Sequence, residues 1–203
     1  AYKTRHKLSY FAKNEYVYFP EDAANKLFLI DSGKIKIGYY TEEGEEVVKA
    51  ILGKGELFGE KAFLGEEKRD EFAQAVDKET VVCPVPADTI GKLVLENKDF
   101  SIGFYKFLGY RFKKLERRLQ LLLFKDARTR LIEFLSELYS EYGHCCPDTG
   151  DSVIENPYTQ KDIATLIGIS RPTLNTMLHE LKEENLINFN RKEIRLKQGV
   201  LAT

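Results

Sequence analysis

Thr159-Gln160-Lys161-Asp162-Ile163-Ala164-Thr165-Leu166-Ile167-Gly168-Ile169-Ser170-Arg171-Pro172-Thr173-Leu174-Asn175-Thr176-Met177-Leu178 reads as two short helices meeting at a tight turn. Ile163, Leu166 and Ile167 make one apolar face, and Leu174 and Leu178 make another. Gly168 stands between the runs, where a residue able to take positive φ stops the first helix. Ser170 is a fitting N-cap for the second helix, and Pro172 falls in its first turn, where a missing N–H costs nothing. This is the sequence form of a helix-turn-helix, whose second helix lies in the DNA major groove. An ordinary helical hairpin shares the pattern, so the rest of the chain has to decide between them.

The chain has 203 residues, a size that fits one large or two small domains. With 43% hydrophobic and 31% charged residues its composition is that of a soluble globular protein. No apolar run approaches the ~20 residues needed to span a bilayer. The start, Ala1-Tyr2-Lys3-Thr4-Arg5-His6, lacks the apolar core of a signal peptide. Three cysteines make a poor disulfide framework, so a reducing cytoplasm is the expected compartment. The net charge is -1, so any nucleic-acid footprint must be local.

From about 16 to 85 the pattern is one of short strands: Val17-Tyr18-Phe19, Leu27-Phe28-Leu29-Ile30, Ile35-Lys36-Ile37-Gly38-Tyr39-Tyr40, Val47-Val48-Lys49-Ala50-Ile51-Leu52 and Thr80-Val81-Val82-Cys83. Asp31-Ser32-Gly33, Glu42-Glu43-Gly44 and Gly53-Lys54-Gly55 separate them as turns. Strands at this spacing suggest a sandwich or jelly roll. From about Asp88 the pattern turns helical. Within the helical segment 99–123, Leu108, Phe112, Leu115, Leu119 and Leu122 recur at alternating spacings of four and three, a heptad stripe. A helix packed on its own domain would also carry an apolar stripe, but this regularity favours a partner helix, which a homodimer supplies by two-fold symmetry. Asp126-Ala127-Arg128-Thr129-Arg130 begins a new helix with Leu131, Phe134, Leu135 and Leu138 on its apolar face. Residues 143–156 are polar, with Pro147 and Gly150, and read as a loop. After the helix pair, Ile187-Asn188-Phe189 and Glu193-Ile194-Arg195-Leu196 alternate like strands around Asn190-Arg191-Lys192, a small hairpin beside the second helix.

A β-roll, a long helix and a C-terminal winged helix, in that order, resemble the CRP/FNR family of bacterial transcription regulators. The residues that carry the likeness are Phe58-Gly59-Glu60 in the roll, Asp126 and Arg130 after the long helix, and Gly168-Ile169-Ser170-Arg171 in the reader. The likeness implies an α+β chain: a β-roll (jelly roll) over 1–98, a dimerisation helix over 99–125, and a winged helix-turn-helix over 126–203. Family members usually carry a short segment ahead of the roll, so this chain is expected to be short or truncated there. The implied partners are double-stranded palindromic DNA, a second copy of the chain and RNA polymerase, with no membrane. By the same likeness Ser170 and Thr173 touch phosphate, and Arg171 reads a base edge, where two parallel hydrogen bonds to guanine are worth roughly 1–3 kcal/mol of discrimination. Asn175, Thr176 and His179 follow on the same face, Gln160 caps the first helix within reach of phosphate, and Arg191 and Lys192 of the wing join the candidate DNA contacts. Pro172 and Thr176 replace a glutamate and a second arginine of the cyclic-AMP-responsive members, so those two base contacts are not carried over.

The family's nucleotide pocket maps onto Gly59, Glu60 and Arg69, with Leu115 and Glu116 on the long helix. Glu60 is placed for a ribose hydroxyl and Arg69 for a phosphate, one residue closer to the Gly-Glu pair than usual. Asp70 and Glu71 follow where phosphate binders carry small uncharged groups, and Leu115-Glu116 replaces the pair that meets adenine. Carboxylates beside a phosphodiester repel it, which argues against cyclic AMP. Cys83, Cys145 and Cys146 do not supply an iron–sulfur set, His6, His144 and His179 have no haem context, and His144-Cys145-Cys146 alone closes no tetrahedral metal site. No nucleophile–base pair or phosphate loop suggests an enzyme. The readings left open beside a DNA-binding regulator are a cyclic-nucleotide-binding regulator and an effector module with weak DNA reading.

Overall fold

The structure is a computed structural model that describes residues 7–147, 149–190, 193–197 and 200. Contacts divide the chain into two compact units, Ala1–Phe112 and Lys113–Thr203.

Among the described residues the first unit is a roll of eight antiparallel strands: β1 Ser9–Ala12, β2 Tyr16–Tyr18, β3 Lys26–Ser32, β4 Ile35–Tyr40, β5 Glu46–Leu52, β6 Leu57–Phe58, β7 Phe72–Ala75 and β8 Glu79–Pro86. They form two four-stranded sheets, in the orders β1-β8-β3-β6 and β2-β7-β4-β5. One core joins them: Phe28, Ile30 and Phe58 pack with Ile35, Ile37, Ala73 and Ala75. Period-two alternation puts these side chains inward and leaves charged residues on the other face. The five strands read from sequence are present. Three were missed: β1 and β6 are short, and β7 is Phe-Ala-Gln-Ala, buried at all four positions and so without alternation.

Helix α1, Ala87–Glu96, packs on the roll through Ile90, with Leu27 and Val85. Helix α2 runs Lys98–Phe124 and crosses the boundary between the units. Asn97 starts it by accepting the Phe100 N–H at 3.0 Å. Helix α3, Ala127–Tyr142, begins where Asp126 accepts from the Thr129 N–H (2.9 Å) and hydroxyl (2.7 Å), and buries Leu131, Leu135 and Leu138.

The expected loop at 143–156 is instead a hairpin, β9 Gly143–Cys145 and β10 Ser152–Glu155. Strand β10 pairs with β12, Glu193–Leu196, which pairs with β11, Ile187–Phe189. The physical reason is non-local: Val153 and Ile154 are too short an apolar run to announce a strand, but the edge of β12 gives them a ladder and they become buried. Helices α4, Gln160–Ile167, and α5, Arg171–Glu183, complete the second unit.

Candidate nucleic-acid interface

The turn between α4 and α5 is built as its residues require. Gly168 has φ 68° and closes α4 in the left-handed region, and Ser170 caps α5 by accepting from the Thr173 N–H at 3.2 Å. Gln160, expected to cap α4, is its first helical residue. Thr159 is the cap, in a reciprocal pair with Asp162: the Asp162 N–H donates to Thr159 Oγ1 (3.2 Å), and the Thr159 N–H donates to Asp162 Oδ2 (2.8 Å). A side-chain oxygen at 159 satisfies an N–H that a glutamine at 160 cannot reach. The spacing Thr-x-x-Asp was visible in the sequence.

Helix α5 is two-faced. Leu174, Leu178 and Leu181 are buried, while Arg171, Pro172, Thr173, Asn175, Thr176 and His179 are all exposed. Arg171, Asn175 and His179 stand at i, i+4 and i+8, one line along the helix. The Thr173 hydroxyl bonds Ser170 Oγ at 2.8 Å, and Thr176 Oγ1 donates to the Pro172 carbonyl at 3.2 Å. The His179 ring meets Phe189 of β11 edge-on, with centroids 5.5 Å apart, so the exposed end of the helix is braced against the wing. Arg191 and Lys192 lie outside the described residues.

Helix α2 buries no residue of its own. Along its stripe Leu108 is 38% exposed, Phe112 69%, Leu115 65%, Leu119 55% and Leu122 38%. Glu116 is exposed as well. In the second unit α2 is held to α3 by ions: Arg117 pairs with Glu133 at 2.5 Å and Glu137 at 3.0 Å, and Lys114 pairs with Glu141.

In the roll, Gly59, Glu60 and Arg69 do come together. Gly59 has φ 78°, and a Cβ there would stand 3.0 Å from Arg69 Nη1. Arg69 is only 3% exposed and faces the protein: Nη2 donates to the Lys26 carbonyl at 2.6 Å, and the guanidinium lies over the Tyr18 ring, 4.0 Å from its centroid. Glu60 is paired with Arg111 of α2 at 2.8 Å, and Arg111 also donates to the Leu57 carbonyl at 3.2 Å. Asp70 and Glu71 are not bare charges. Lys61 reaches Asp70 at 2.5 Å, and that hydrogen bond holds the Asp70 carboxyl below its usual range. Glu71, 4% exposed, takes Lys49 at 2.6 Å and the Tyr18 hydroxyl at 3.1 Å. Burial, reinforced by Glu71, pushes the Tyr18 phenol well above its ordinary value. Sequence reasoning missed Tyr18, Lys49 and Arg111 because pairing across strands carries no local signal.

His144 and Cys145 lie on β9, where Cys145 is exposed, and Cys146 is half-buried. Among the described residues no group of three or more His, Cys, Asp or Glu side chains is placed to hold a metal ion. No described helix is long and apolar enough to cross a membrane.

Two family models match the chain in series: a cyclic nucleotide-binding domain over residues 8–97 and a Crp-like helix-turn-helix domain over residues 129–198. The chain belongs to the CRP/FNR family of transcription regulators. Among this regulator's relatives, the Global nitrogen regulator of Nostoc sp. is 28% identical over 94% of this chain and 85% of that protein. The CRP-like cAMP-activated global transcriptional regulator of Mycobacterium tuberculosis is 25% identical over 91% and 81%. Among solved structures, a CooA mutant from Carboxydothermus hydrogenoformans superposes with a TM-score of 0.76 at 27% identity, covering 97% of this chain and 84% of that one. FixK2 from Bradyrhizobium japonicum shares the fold, with a TM-score of 0.77 at 18% identity, covering 95% and 92%.

Proposed function

We propose that this regulator works as a homodimer that reads a palindromic DNA duplex with α5 of each copy. The observation that carries the reading is the division of α5: three leucines are buried behind it, and Arg171, Thr173, Asn175, Thr176 and His179 are presented together in front. Arg171 is the base reader, donating to guanine in the major groove. Ser170 and Thr173 hold phosphate at the helix N-terminus, where backbone N–H groups and the helix dipole also favour an anion. Gln160, the first residue of α4, joins them as a further phosphate contact. With a net charge of -1, this local set supplies the attraction.

The partner helix is supplied by the second copy. A 27-residue helix without one buried residue, carrying five exposed apolar side chains on one stripe, is unstable as a solvated element. Pairing two such stripes covers the apolar side chains and sets two recognition helices about 34 Å apart, one turn of DNA. RNA polymerase is the further partner that this role requires, and the cytoplasm its place of work. No catalytic role is assigned.

The roll acts without a cyclic nucleotide. The M. tuberculosis relative is named for activation by cAMP, but here the groups that would receive such a ligand are engaged internally, Arg69 by the Lys26 carbonyl and Tyr18, and Glu60 by Arg111. A bound phosphodiester would have to break these contacts first.

Sedimentation equilibrium and titration of a palindromic duplex at several salt concentrations test the reading. Two chains per duplex and a steep linear fall of log K with log salt support it. A monomer whose binding ignores salt and palindromy would reject it.

A further inference from the structure

Leu122 ends the exposed stripe of α2 and also touches the reader. A Cβ placed on Gly168 would stand 2.8 Å from Leu122 Cδ2, and the next group in reach is Arg130 Nη1 at 3.6 Å. The leucine methyl therefore occupies the space a side chain at 168 would need. Gly168 is a fixed point of the reader. Its φ of 68° closes α4, and α4 is anchored by buried Ile163, Ala164, Leu166 and Ile167. Ser170, the cap of α5, is two residues further on, and Arg171 is three. Leu122 is nevertheless 38% exposed, so one side of the residue rests on the turn and the rest remains for a neighbour.

We propose that Leu122 is a positioning residue: it transmits the register of the paired α2 helices to the turn that aims Arg171. This rests on the dimeric, DNA-reading function above and specifies how the spacing of two readers is set. Leu122 Cδ2 stands where a side chain at 168 would be, so the leucine cannot shift toward the turn without pushing against it. A change of register or separation between the two α2 helices displaces Leu122, and Gly168 follows because its backbone lies directly against the leucine methyl. Gly168 is required twice over, by its left-handed backbone and by the methyl that fills its side-chain space.

The test compares wild type, Leu122→Ala and the volume-conserving Leu122→Met on palindromic duplexes whose half-sites are moved apart or together by one or two base pairs. Binding is measured at chain concentrations where sedimentation shows each protein to be dimeric. Wild type and Leu122→Met are expected to prefer one spacing by roughly tenfold or more, and Leu122→Ala to bind the series within about threefold, with unchanged affinity for random duplex. A dimeric Leu122→Ala that keeps the wild-type preference overturns the inference, as does a Leu122→Met that loses it equally. A wild-type chain that is monomeric, or indifferent to palindromy, overturns the regulator reading and the inference with it.

Discussion

The Arg69 guanidinium lies over the Tyr18 ring, 4.0 Å from its centroid, with Nη2 donating to the Lys26 carbonyl at 2.6 Å. An arginine at the position expected to hold a ligand's phosphate thus works as a strut between strands of the roll. Replacing it with alanine removes a buried stack and takes a donor from the Lys26 carbonyl. Arg69→Ala should cost about 2–4 kcal/mol of stability, read by urea denaturation. A loss within about 0.5 kcal/mol, as at an ordinary surface site, would remove the strut role.

Calorimetric titration with cyclic AMP and cyclic GMP should give no saturable heat at micromolar ligand. The contacts of Arg69 and of Glu60, paired with Arg111 at 2.8 Å, would have to be broken to admit either nucleotide. Micromolar affinity for one of them would contradict this account of the roll.

Glu137 gives the α2–α3 contact a pH dependence of definite sign. Burial raises its carboxyl above the usual range, Arg117 draws it back only in part, and Glu141 adds to the rise. A carboxyl raised in the folded state favours folding when protonated. Its contribution is present below the unfolded value of about 4.3 and is lost as pH rises through the folded value. Glu137→Gln should therefore gain in Tm relative to wild type on going from about pH 4 to pH 7. A difference that stays flat or shrinks over that range would contradict the assignment.

The exposed stripe on α2 predicts the outcome of charging it. Leu115 is 65% exposed in the single chain, so Leu115→Glu should leave its thermal unfolding as a monomer intact. Two facing glutamates in a pairing seam should shift the dimer constant by roughly tenfold or more, read by sedimentation equilibrium. An unchanged dimer would place the subunit contact elsewhere.

What was legible in the sequence was whatever is encoded locally. Gly168, Ser170 and Pro172 announce the turn and cap within a few residues, and the stripe from Leu108 to Leu122 declares its own period. What was hidden depends on distant partners. Strand β10 exists because β12 offers an edge, and β7 is buried on both faces and shows no alternation. The carboxylates at 70 and 71 read as repulsive until Lys61 and Lys49 arrive from other parts of the roll. Thr159 is a different case. Its pairing with Asp162 is readable from the Thr-x-x-Asp spacing, one residue ahead of the glutamine that the family likeness points to.

The central claim is that α5 reads one guanine in each half of a palindrome through Arg171. Selection of bound duplexes from a random pool, run in parallel with wild type and Arg171→Ala, tests it most directly. Wild type should enrich a palindrome with half-sites centred about 10–11 base pairs apart and a fixed guanine in each. Arg171→Ala should lose roughly 1–3 kcal/mol on that sequence and its preference at the guanine, while binding random duplex nearly as before. No enriched palindrome with the wild-type protein, or equal losses on selected and random duplexes with Arg171→Ala, would contradict the account.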